Sequence, residues 1–230
     1  MYLYNRRYHL SKDNTTMLLH CTGVDEATSF PDSSTRDHTV TARGDAQVDT
    51  ALTDPWGGNT GVLKLDGNND YLSWPTETAD QLKSGGFTIE SRCYFNDTDE
   101  FRIWQQFGNE DNRTALAYSS TSGLFFIAKE GGSALVFVRT AWTPTINTWY
   151  HIVVVRSGST FKIFVDGVDE TTSGGTYAGA LPVLTGNTYI GRYSAASTSY
   201  TDGYAGEFRI SNIARWTSNF TPPTAPYTAD

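Results

Sequence analysis

Two cysteines, Cys21 and Cys93, are all that 230 residues provide, too few for a fold stapled by disulfides. Both fall in strand-like runs. Two buried thiols acting as small apolar side chains are the favoured reading there, with a Cys21–Cys93 bridge as the alternative. Positive charge is also short: 17 Lys and Arg stand against 25 Asp and Glu, a net charge of −8. A body of that sign repels phosphate backbones, which argues against nucleic acid as a partner. No run approaches the ~20 apolar residues of a membrane span, so membrane insertion is not expected. The opening MYLYNRRYHLSKDN holds neither an apolar core of signal-peptide length nor a small-residue cleavage pattern, so synthesis in a cytoplasm is expected. His9, His20, His38 and His151 show no metal-ligand spacing and no Ser or Cys partner for a triad.

What is present favours strands. Glycine occurs 21 times, aromatic residues make up 13% of the chain, and Thr and Ser are abundant. Strand signals run through 17–21 (MLLHC), 61–65, 70–74, 87–95, 101–107, 124–128, 134–139, 149–157, 160–165, 187–191 and 203–210. In FTIESRCYF at 87–95, Phe87, Ile89, Cys93 and Phe95 share one face while Thr88, Glu90 and Arg92 take the other. Residues 152–155 (IVVV) leave no polar face, which places their strand centrally. Turns are explicit at Asp66-Gly67-Asn68-Asn69, Ser157-Gly158-Ser159 and Asp166-Gly167. Helix is expected only as a turn or two at 76–82 and at 212–216. Arg43-Gly44-Asp45 reads as an ordinary turn between strands.

The one organisational break lies near residue 16. Before it, Tyr2, Tyr4, Arg6, Arg7 and Tyr8 form a short basic arm of residue types favoured at interfaces. The arm is expected to anchor the chain to a virion or other assembly protein, or to a second copy in a homo-oligomer. Folding back onto its own domain is the alternative.

Four segments together resemble the laminin-G-like, concanavalin-A-like family: LLHCTGVDEATSFPDSS at 18–34, LDGNNDYLSWP at 65–75, NTWYHIVVVRSGSTFKIFVDGV at 147–168 and GEFRISNIARWTSNFTPPTAPY at 206–227. The resemblance covers roughly 17–227. It implies an all-β fold, a two-sheet antiparallel jelly-roll sandwich over 17–230, following an arm at 1–16. Pairing of the last strand with 17–21 would join the two ends of the sandwich. The resemblance further implies glycan binding, adhesion or display, with single-domain relatives common in phage. A non-catalytic protein on a virion surface is therefore the first expectation, able to touch cell-surface or capsular glycans. A free carbohydrate-binding module or lectin comes second and a polysaccharide hydrolase third.

Site residues follow from that frame. Retaining glycosidases need two carboxylates about 5 Å apart, and Glu90, followed by Arg92, has no same-face carboxylate partner. No enzyme is expected. Relatives that hold calcium carry an Asp just before the acidic-aromatic-Arg pattern of the last strand; here that position is Gly206. No cofactor is required, and Asp66 and Asp70 are the remaining candidates for a Ca²⁺. For sugars, aromatic platforms beside polar groups are wanted. Trp104, Tyr118 and Trp142, with Asn109, Asn112 and Arg113 in a nearby loop, are one set; Tyr193 and Tyr200 are another.

Overall fold

The computed structural model describes residues 14–56, 60–193 and 199–230. Two antiparallel sheets pack face to face as a jelly-roll sandwich, their strands numbered here along the chain. The first sheet runs β13 (Val168–Asp169), β12 (Thr160–Val165), β11 (Thr148–Ser157), β6 (Phe87–Phe95), β16 (Asp202–Ser211), β4 (Val62–Asp66), β3 (Gln47–Asp49). The second runs β14 (Thr171–Ser173), β10 (Ser133–Thr140), β9 (Gly123–Glu130), β8 (Asn112–Ser119), β7 (Glu100–Asn109), β15 (Asn187–Ile190), β5 (Tyr71–Pro75), β2 (Thr41–Arg43).

The expected closure of the ends is present. β1 (Thr15–Leu19) pairs with Phe208–Ser211 of β16, while β4 pairs with the first half of β16. Thr15 also donates its hydroxyl to the Asp230 carboxylate at 2.9 Å. The arm residues Tyr2, Tyr4, Arg6, Arg7 and Tyr8 lie outside the described residues.

The core lies between the sheets because alternation sends one apolar row inward from each strand. Ile89, Cys93, Phe95 and Phe208 meet Leu116, Leu124, Phe126 and Val138 there. Each fully buried large side chain contributes about 1.5–3 kcal/mol. β11 is apolar on both faces for a concrete reason. Ile152 and Val154 join that core, whereas Val153 and Val155 join Phe164 in a second cluster on the outer side, under Trp216 and Phe220. Those two rings stack at 4.0 Å.

The segment after β16 is thus a strap across the first sheet, not the helical turn expected at 212–216. Where it crosses β6 and β16 it covers charges. Arg92 pairs with Asp54 at 2.9 Å and donates to the carbonyls of Pro223 and Ala225. Arg209 donates to Glu90 at 2.8 Å and to the Thr228 carbonyl. The Tyr227 ring lies 4.8 Å from one guanidinium and 4.6 Å from the other. A buried ion pair contributes little net stability when intact, but losing one partner strands the other charge. The strap is therefore held by carbonyl-to-arginine bonds where its prolines have no N–H to offer.

At 76–82 a single 3-10 turn, Thr78–Asp80, takes the place of the expected helix. Strands at 41–43, 47–49 and 112–119 add to those expected.

Candidate functional site

The first sheet's outer face is strapped over; the second sheet's outer face carries a hollow. Pairing of β7, β8, β9 and β10 sets Arg102 opposite Ala117, Ala117 opposite Phe125, and Phe125 opposite Arg139. The neighbouring row runs Gln105, Ala115, Ile127, Phe137. Period-2 alternation puts both rows on one face. Alanine in the middle of each row keeps that face low between larger neighbours. The result is a hollow of about 350 Å³ with an apolar floor of Ala115, Phe125 and Ile127. Its rim carries Arg102, Arg113, Glu100, Ser119, Ser122 and Tyr193.

Tyr193 organises the arginines. Its ring centroid lies 4.6 Å from the Arg102 guanidinium carbon and 5.0 Å from that of Arg113, within cation–π range. Its hydroxyl donates to Glu110 at 2.7 Å, and its carbonyl accepts the side-chain N–H of Gln105. Burial and the Glu110 carboxylate both push the Tyr193 hydroxyl pKa up, so it stays protonated as the donor. Arg102 pairs with Glu100, whose carboxylate also accepts the Ser199 hydroxyl at 2.6 Å. Burial opposes ionisation of Glu100, but Ser199 and Arg102 outweigh it and hold the carboxyl below its usual range. Nε of Arg102 and Nε of Arg113 are buried and have no hydrogen-bond partner among the described residues.

A second hollow, about 480 Å³, adjoins the first through Ser122. Hydroxyls line it, including Thr121, Thr140 and Ser173, together with Arg139. On the far side of Glu100 the surface turns acidic, with Asp66, Asp97, Asp99 and Asp202 around Tyr200.

Of the residues expected from sequence, Arg113 and Tyr193 meet in the first hollow. Trp104 and Tyr118 do not form platforms: they are 0% and 1% exposed, packed between the sheets. Trp142 is half-buried, its ring edge-on to Tyr150 at 4.8 Å and packed against the core. Asn109 and Asn112 flank the β7–β8 turn, where the Asn112 side-chain Nδ2 donates to the Asn109 side-chain Oδ1 at 2.9 Å. Tyr200 stacks on Tyr71 beside the acidic hollow. Glu100, Arg102, Ser122, Phe125, Ile127 and Arg139 were not anticipated. For Arg102, Phe125, Ile127 and Arg139 the signal was that 101–107, 124–128 and 134–139 each have a second face, opposite the core; Glu100 and Ser122 lie outside those runs.

The carboxylates on the first sheet are structural. Glu90 is fully buried, bonded to His151 at 3.1 Å and to Arg209. Burial disfavours its charge, yet His151 and Arg209 outweigh that and hold its pKa below the ordinary value. A carboxylate so engaged and covered cannot reach a glycosidic bond. Of the two cation candidates, Asp66 lies in the acidic hollow, and Asp70 is already engaged. The Asp70 carboxylate is taken up by the N–H groups of Asp45 and Asp66, at 2.5 and 3.2 Å, and burial pushes its pKa up. Among the described residues no group of three or more His, Cys, Asp or Glu side chains is arranged to hold a metal. No helix among them is long and apolar enough to cross a membrane.

Known structures share this architecture. Domain 4 of AbnA, a GH43 extracellular arabinanase from Geobacillus stearothermophilus solved in complex with arabinotriose, superposes with a TM-score of 0.64 at 12% identity, covering 88% of this chain and 94% of that one. The binding domain of Paraclostridial Mosquitocidal Protein 1 gives 0.66 at 14% identity, over 88% of this chain and 50% of that one. A botulinum neurotoxin type C structure, whose cell entry is described as dependent on two ganglioside molecules, gives 0.63 at 14%, over 87% and 48%. The chain thus spans about half of either toxin structure. No curated protein matches the sequence. A family model does, over residues 66–218, more than half of the chain. The chain belongs to the concanavalin A-like lectin/glucanases superfamily.

Proposed function

We propose that this protein is a non-catalytic glycan-binding sandwich that takes its ligand in the hollow between Arg102, Tyr193 and Phe125. One observation carries the reading: an apolar floor ringed by arginine, serine and glutamate side chains on the outer face of a sheet. Sugars present just that pairing, with C–H faces that pack on apolar surface and hydroxyls that bond to charged groups at the edge. Two related folds support the choice of ligand, one solved with arabinotriose and one described as dependent on gangliosides. Binding without hydrolysis is favoured because Glu100, the one carboxylate lining the hollow among the described residues, is ion-paired to Arg102, and nearby Glu110 is taken up by Arg113 and the Tyr193 hydroxyl. Hydrolysis needs two carboxylates.

Glycan-array binding in the range of about 1 μM to 1 mM is expected, without release of reducing ends. Ser122→Trp, which closes the junction of the two hollows, should abolish it while leaving the melting temperature unchanged. Binding that survives Ser122→Trp would move the site elsewhere. Release of reducing ends would make the protein an enzyme.

Display on a virion or similar particle is the wider setting proposed, and it rests on the Tyr- and Arg-rich residues 1–16. Deleting them should abolish particle attachment and leave glycan binding intact. Attachment unchanged by the deletion would remove the anchoring role.

A further inference from the structure

The two hollows joined at Ser122 carry three arginines, Arg102, Arg113 and Arg139, against Glu100 on the rim and Glu110, which pairs with Arg113 at its edge. That small positive excess stands out on a chain whose net charge is −8. An excess of one sign of charge in a cleft concentrates ligands of the opposite sign. The arginines are also incompletely used. Glu100 takes one nitrogen of Arg102, Glu110 takes one of Arg113, and the Nε of each is buried without a hydrogen-bond partner among the described residues. Arg102 is only 6% exposed, so an unsatisfied N–H there is costly unless a ligand or water completes it.

We infer that the ligand is an acidic oligosaccharide, with a sugar carboxylate held by the arginines along this groove. The inference rests on the glycan-binding reading of the same site and names its substrate class. Guanidinium groups suit the planar carboxylate of a sugar acid, which accepts two parallel N–H bonds. The groove also gives the ligand a direction. Beyond Glu100 the acidic residues around Tyr200 repel an anion, so the chain of sugars extends the other way. It crosses Ser122 into the hydroxyl-lined hollow, where Arg139 meets a second acidic unit. A single sugar fills only the first hollow, so two or more units bind better than one.

The test uses the full chain and calorimetric titration. Probes are oligosaccharides of galacturonate, of mannuronate and guluronate, and of glucuronate with N-acetylglucosamine, together with sialyllactose. Each is compared with its carboxyl-reduced, neutral counterpart and with neutral arabinan and galactan oligosaccharides. At least one acidic probe should bind at least about tenfold more tightly than its reduced form, and its affinity should fall as salt rises. Arg102→Gln should lose about tenfold or more on that probe alone. Arg139 is exposed, so Arg139→Gln repeats the measurement without touching the fold, and a drop of severalfold is expected for probes of two units or more. Equal binding of acidic and reduced forms, or binding of neutral probes only, overturns the acidic inference and leaves glycan recognition standing. Absence of binding to every probe of both kinds overturns the glycan reading as well.

Discussion

A side chain at Gly206 would collide with Asp54: a Cβ built there lies 2.6 Å from a carboxylate oxygen of Asp54. This is the position at which the sequence resemblance leads one to look for a calcium-ligating aspartate. Here Asp54, brought in from a loop, fills the space and spends its charge on Arg92 at 2.9 Å. Both partners are buried, with side chains 0% and 1% exposed.

Gly206→Asp should therefore fail to restore a cation site. It would press a second buried carboxylate onto Asp54 with no arginine left to neutralise it. The expected cost is about 3 kcal/mol or more in urea unfolding. Added Ca²⁺ should not recover it. Unchanged stability, or a calcium-dependent gain, would refute this account of Gly206.

The sequence made the first sheet legible and half-hid the second. β11 was readable because IVVV at 152–155 has no polar face, and the strap of Trp216 and Phe220 is what uses its second side. β8 was harder: Asn112 and Arg113 read as loop, and Ala115 and Ala117 have weak strand preference. Yet Ala115 forms part of the hollow's floor. Trp104 misled for a local reason. Strict alternation places it on the face of Arg102, but a register shift between Arg102 and Trp104 turns both Ile103 and Trp104 inward. Alternation cannot announce a bulge. Tyr193 could be suspected as a site residue from sequence, yet its contacts with Arg102 and Arg113 depend on Gly191 and Tyr193 bonding to β7 just after β15 ends.

Stability should depend on pH through His38. Its Nδ1 lies 2.7 Å from Asp32 and its Nε2 3.0 Å from Asp80. Hydrogen bonds to Asp32 and then Asp80 raise its pKa from 6.5 to about 10, against the effect of burial. A raised folded-state pKa gives stability that is complete below about 6.5 and is lost as pH rises towards 10. For Asp32, burial works against ionisation, but the bonds from His38, Ser34 and Leu18 prevail and lower its pKa to about 2. Its contribution is complete above about 4 and is lost as pH falls towards 2. Between these limits, near pH 4 to 6.5, both are present. The melting temperature should fall by roughly 3–8 °C from pH 6.5 to 10. His38→Gln should flatten that alkaline limb and lower the maximum. An alkaline limb of the same slope in His38→Gln would assign the pH dependence to other groups.

The two cysteines offer a direct reading of how tightly the sandwich closes. Both are free thiols, and both are buried, Cys21 at 3% exposure and Cys93 at 0%. Burial pushes the Cys93 thiol pKa up to about 12 and that of Cys21 higher still, with the Glu207 carboxylate adding to the rise at Cys21. A thiol attacks only as thiolate, so exclusion of reagent and suppression of the nucleophile act together. Native protein at pH 8 should take up no iodoacetamide over hours, and unfolded protein two equivalents. Intact mass should be the same with and without reductant. Because Cys93 lies on β6 and Cys21 follows β1, any labelling that does occur must wait for strands on both sides of β16 to open. The two sites should then label at one common rate set by global unfolding. Faster labelling of Cys21 alone would show that β1 separates from β16 while the rest of the sandwich holds.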